Sequence, residues 1–137
     1  MPYYNNKTEK MLKVFQNIDD TKPIKEVRRE VFNKLVRIQN ENQDNIGSFL
    51  GVAQGNVSYT ITRRVKIIRE YMIKACVALR LPYIISIKLL NLFGVNLSES
   101  NKKEVKCMNI LSIVQDNMLK EDIELLIKEV EAINLDK

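Results

Sequence analysis

Apolar residues recur at intervals of three and four along almost the whole chain, and only four of its 137 residues are glycine. That spacing lines one face of a helix with 3.6 residues per turn, whereas the strict alternation of a half-buried strand is almost absent. The chain therefore reads as all-α. A first stripe, Met11, Val14, Phe15 and Ile18, ends around Asp19 and Asp20. Pro23 suits the first turn of a second helix, where Glu26 favours the positive end of the dipole. The stripe of that helix is Ile24, Val27, Val31, Leu35 and Ile38, with Phe32 beside it, and the polar run 39–45 closes it.

The second half continues the pattern. Residues 62–81 read as a long basic amphipathic helix with Val65, Ile68, Met72 and Val77 on one side. Pro82 ends that helix or starts its successor. Residues 84–93 form an apolar helix stopped by Gly94, and Ser98 is the expected cap of the next helix. Two further helices fit 102–117 and 119–134. In the last, Ile123, Ile127, Val130 and Asn134 repeat at alternating four and three, with Leu126 and Ile133 alongside. That spacing suits a packing seam, although one or two heptads are too few for a coiled coil.

Composition narrows the function. The chain holds no histidine, which removes the commonest general base and a main metal ligand. Neither a GxxxxGK[ST] nor a GxGxxG stretch occurs. Acidic residues such as Glu129 and Glu131 sit at solvated helical positions, so neither an enzyme nor a bound metal or cofactor is the expectation. Met1 to Asn6 are polar and do not resemble a leader. The most apolar run, 81–97, is broken by Pro82, Lys88, Asn91 and Asn96 and is too short to span a bilayer. A cytoplasmic protein without a membrane partner is expected, with Cys76 and Cys107 as reduced, small apolar residues.

Charge is unevenly spread. Residues 1–97 hold 16 Lys and Arg against 8 Asp and Glu, whereas residues 98–137 hold 6 against 9. A basic body with a mildly acidic tail points to nucleic acid for the first part and another task for the last.

One stretch concentrates that expectation. In 42–61, "NQDNIGSFLGVAQGNVSYTI", a short apolar-spaced segment runs into Gly51 and Val52, and a polar segment comes after it. Glycine adopts the turn conformation at little cost, and small Gly47 allows two helices to cross closely. Ile46, Leu50, Val52 and Val57 fall at core-pointing positions. The polar outer face of the second helix is then left for a partner, which is the logic of a helix-turn-helix entering a DNA major groove.

The stretch "NQDNIGSFLGVAQGNVS" resembles the phage-repressor, or Xre/Cro-type, helix-turn-helix family. Gln43, Ile46, Leu50, Gly51, Val52, Val57 and Ser58 stand where its pattern expects them, with Gly47 in place of the usual alanine. "SIKLLNLFGVNLSE", residues 86–99, is similar to the closing helix of the same domain, and the two stretches cover about a third of the chain. The chain departs from the family in the long helix at 62–81 and in the residues ahead of Pro23. "VSYTITRRVKIIREY" also looks like the promoter-reading tail of sigma factors.

The resemblance implies a recognition helix at about 54–61. Gln54 would start it and make a bidentate contact to adenine. Gly55 leaves a base-reading position without a side chain. Asn56, Ser58 and Tyr59 share the segment, and Tyr59 has a second reading as a partly buried core residue. Gln43 would hold a phosphate at the preceding helix N-terminus. Arg63, Arg64, Lys66 and Arg69 come next with no acidic residue between Asp44 and Glu70, and would anchor the DNA backbone.

Three regions result: an N-terminal helix at 1–22, a helix-turn-helix domain at 23–97 and C-terminal helices at 98–137. A homodimer on double-stranded DNA is expected. Ile123, Leu126, Ile127 and Val130 are candidates either for its interface, or a protein partner's, or for monomer core. The competing expectation is an adaptor or inhibitor, of antitoxin or phage counter-defence type, that keeps the helix-turn-helix shape and captures a protein with its tail.

Overall fold

The computed structural model describes residues 6–39 and 69–135, and these form six α-helices with no strand among them. The fold is all-α. Helix α1 spans Asn6–Gln16 and α2 Ile24–Ile38; after residues 40–68 come α3, Arg69–Ala78, α4, Tyr83–Leu92, α5, Lys102–Ile113, and α6, Lys120–Ile133.

Helices α1 and α2 form an antiparallel hairpin, in which Val14 in the last turn of α1 and Ile18 just beyond it line a groove with Val27 and Val31 of α2. The hairpin joins the rest through α4. Arg28 donates from Nε to the Leu92 carbonyl at 2.9 Å, and its guanidinium lies 5.4 Å from the Phe93 ring centroid. Lys7 reaches Asp116, beyond α5, at 3.2 Å. Within the second half, α3 packs against α4, α5 and α6. Buried side chains from all six helices make one continuous cluster.

Helix α3 differs from the amphipathic helix expected at 62–81. Tyr71, Met72, Ile73, Ala75, Cys76, Val77 and Ala78 are all buried, and among residues 69–78 Arg69, Glu70 and Lys74 alone keep partial exposure. A helix whose apolar residues lie on every side belongs in a core, and the stretch 71–78 of α3 occupies that place. Burial pushes the Cys76 thiol up to about 12, and the group donates to the Ser86 carbonyl. Both cysteines are buried and neither is in a disulfide, in keeping with small apolar core residues.

Helix ends explain the remaining differences. Pro82 is the residue that starts α4. Both α3 and α4 end in the same pair of bonds: Leu81 N–H to Cys76 with Arg80 to Val77, and Val95 to Leu90 with Gly94 to Asn91. This motif puts its penultimate residue in the left-handed region, which Gly94 (φ 79°) adopts readily. Arg80 (φ 53°) occupies the equivalent place at a cost of about 1–2 kcal/mol, and its Nε donates to the Met118 carbonyl at 3.0 Å.

The cap of α5 is Asn101 rather than Ser98: its Oδ1 accepts from Glu104 N–H, while Glu104 Oε1 accepts from Ser98 N–H. Helix α5 ends at Ile113, short of the expected 117, because Val114 turns extended and buries its side chain. Ile24, placed in the core stripe by spacing, is 52% exposed at the first position of α2, before the helix reaches its neighbours.

Candidate nucleic-acid interface

The residues expected to read DNA, Gln43, Gln54, Gly55, Asn56, Ser58, Tyr59, Arg63, Arg64 and Lys66, lie outside the described residues. What the structure defines is the frame on either side of them. At the end of α2, Gln39 is buried, and its side-chain amide donates to the Leu79 carbonyl at 3.1 Å and the Arg80 carbonyl at 2.9 Å. These are carbonyls at the end of α3, so a side chain supplies donors that the helix itself lacks there. Gln39 therefore fixes the end of α2 against the end of α3.

Arg69, the first residue of α3, is anchored at the opposite end of that helix. Its Nη2 donates to the Leu135 carbonyl at 3.2 Å, and its Nη1 lies 3.6 Å from Glu104 Oε1. Lys103 adds a bond to the Asn134 carbonyl at 3.1 Å, where α6 terminates in a left-handed Asn134. Sequence position groups Arg69 with the basic stripe, but its guanidinium braces the start of α5 and the end of α6. From Arg69 to Leu79 is ten residues of rise, about 15 Å. That length is the spacing along α3 between the anchor points of Gln39 and Arg69.

Such arginines leave one faint signal in a sequence: a charged residue beside apolar ones. Arg28, Arg69 and Arg80 all reach main-chain carbonyls, at Leu92 ending α4, at Leu135 just beyond α6 and at Met118 in the turn before α6. Sequence alone does not separate this use from contact with an external anion.

The apolar seam of α6 also has a defined place. Ile123, Leu126, Ile127 and Val130 are all buried within this chain, in the helix that packs against α3 and α5. They hold the monomer-core role of those open to them. The opposite face of α6 carries Glu121, Leu125, Lys128 and Ala132, with Leu125 59% exposed. An open groove of about 390 Å³ lies elsewhere, lined by Tyr83, Glu99, Val105, Met108, Asn109 and Ser112. No described helix is long and apolar enough to cross a membrane.

Comparison of the chain with family models, curated proteins and solved structures gave no match.

Proposed function

We propose that this chain is a sequence-specific DNA-binding transcriptional regulator of the phage or mobile-element type, binding a pseudo-palindromic operator as a dimer. The observation that carries the reading is the agreement of Gln43, Ile46, Leu50, Gly51, Val52, Val57 and Ser58 with the helix-turn-helix pattern. The basic excess of residues 1–97 supports it, because neutralising phosphates is what gives a DNA-binding surface its non-specific affinity. A single recognition helix makes few base contacts, and two copies on a two-fold site make enough. In this reading Gln54 reads adenine while Arg63, Arg64 and Lys66 hold phosphates.

The test is fluorescence-anisotropy binding to the DNA upstream of its own gene and to a random duplex, each at several salt concentrations. Tight binding to the upstream DNA with a much weaker random duplex is the expected result. Equal, weak binding to both that vanishes with added salt overturns the reading. Gln54→Ala is expected to relax base preference at one position per half-site, by roughly 1–3 kcal/mol. An unchanged preference removes Gln54 from base reading.

A second reading, an adaptor or inhibitor that captures a protein, draws on exposed apolar side chains in the C-terminal part. Ile113 is 51% exposed and Leu119 66% exposed, on either side of the turn from α5 to α6. This reading predicts that substitutions at those two positions abolish function, whereas those at Gln54 and Tyr59 do not.

A further inference from the structure

The cations of the described residues fall into two groups. Many are committed: Lys7 to Asp116, Lys22 to Glu30, Arg28 to Leu92 and Phe93, Lys74 to Glu70 and Glu131, with Arg69, Arg80 and Lys103 on carbonyls. Of the exposed cations without such a partner, six lie on the α1–α2 hairpin and five, Lys88, Lys102, Lys106, Lys120 and Lys128, on α4, α5 and α6, where nine acidic residues balance the nine cations of residues 69–135. Lys10, Lys13, Lys25, Arg29, Lys34 and Arg37 are all exposed and make no ion pair or hydrogen bond among the described residues. Lys10 and Lys13 lie on the face of α1 away from buried Met11, and Arg29 and Arg37 on the face of α2 away from buried Val31 and Leu35, while Lys34 borders the α1–α2 groove beside Glu30 and Asp19. No acidic residue comes after Glu30 in α2. The outer face of α6 has the opposite character, with Glu121, Asp122, Glu124 and Glu129 exposed.

Residues 6–39 hold nine Lys and Arg against five Asp and Glu, with Glu30 offsetting part of the charge of Lys34 and Arg29, and a surface with an excess of one sign draws in partners of the other. Gln39 also locks the hairpin to the end of α3, so these charges sit on a fixed support. We infer that the exposed face of the α1–α2 hairpin is a second, sequence-independent contact to the nucleic-acid backbone. Arg29 and Arg37 of α2 and Lys10 and Lys13 of α1 neutralise phosphates there. The inference rests on the DNA-binding reading for the identity of its partner.

The experiment is anisotropy with a random duplex across a salt series, comparing four full-length proteins. These are the wild type, Arg29→Ala with Arg37→Ala, Arg63→Ala with Arg64→Ala, and Lys120→Ala with Lys128→Ala. The hairpin pair is expected to flatten the slope of log affinity against log salt by about 0.9 for each phosphate left without its cation, with the α6 pair matching the wild type. Circular dichroism of the hairpin pair should be unchanged, since both side chains are exposed. A wild-type slope in the hairpin pair, with a flattened slope in the Arg63 and Arg64 pair, overturns this inference and leaves the DNA-binding reading standing. No binding of any duplex by the wild type overturns both. Salt-sensitive self-association that the hairpin substitutions abolish, without duplex binding, assigns the face to the acidic α6 of another copy and also overturns it.

Discussion

Helices α3 and α6 pack against each other, yet they are opposite kinds of helix. In α6 the apolar residues form a stripe, Ile123, Leu126, Ile127 and Val130, backed by a charged face. In α3 every described position from Tyr71 to Ala78 is buried except Lys74. Lys74 keeps its ammonium near Glu70 and Glu131, at 3.9 and 3.6 Å, so even this charge bridges the two helices. The difference teaches that hydrophobic periodicity reports where a helix meets water, and not how much of the core it supplies. A helix with no water-facing side has no period to detect.

The strongest test of that contrast places a charge on the buried helix. Val77 is fully buried in α3, and Val77→Asp puts a carboxylate where nothing solvates it. The expected penalty is several kcal/mol, comparable with the roughly 5–15 kcal/mol that holds a small domain together. Circular dichroism should show loss of the cooperative thermal transition. Retention of a wild-type transition would mean that α3 is not central, and the contrast with α6 would fall.

Truncation gives a smaller, graded test. Met72 in α3 and Ile123 in α6 are both fully buried, so Met72→Ala and Ile123→Ala are each expected to cost about 2–5 kcal/mol. Denaturant titration reads both through the shift in midpoint at constant slope. Similar losses would show that a periodic stripe and an unpatterned run support the core equally well. A loss at Met72 alone would assign the core to α3 and leave α6 as a peripheral layer.

Much of the fold was legible because most helices do have a wet side. The stripes of α1, α2 and α6, the stop at Gly94 and the start at Pro82 all come from spacing and local backbone preference. What was not legible has a common cause in tertiary contact. Val114 leaves the helix to bury its side chain, and Ser98 gives up the cap to Asn101 while its own N–H bonds to Glu104. Arg69 is drawn to the end of α6 and the start of α5. None of these depends on neighbours within four residues alone. For the candidate site, sequence motif carries the reading of residues 42–61, and the structure adds the anchors Gln39 and Arg69 beyond either side of them. The α1–α2 cations were visible only as charge, since pairing decides which of them remain open to a partner.

The finest distinction concerns the outer face of α6. Leu125 is 59% exposed and stands on the face away from Ile123 and Val130. An isolated exposed leucine on a monomer needs no partner, and Leu125→Ala should then change stability by no more than about 0.5 kcal/mol. A homodimer that covers this face would behave differently. Its midpoint would depend on protein concentration, and Leu125→Ala would weaken that dependence while leaving the dilute protein unchanged. Thermal unfolding at two concentrations a hundredfold apart separates these cases. A midpoint independent of concentration, with Leu125→Ala neutral, leaves α6 a one-sided helix with its apolar stripe turned to α3 and its outer face in water. A concentration-dependent midpoint that Leu125→Ala abolishes makes α6 two-sided, with one face for the core and one for the second copy. The contrast with α3 would then narrow to which of their surfaces are buried by their own chain.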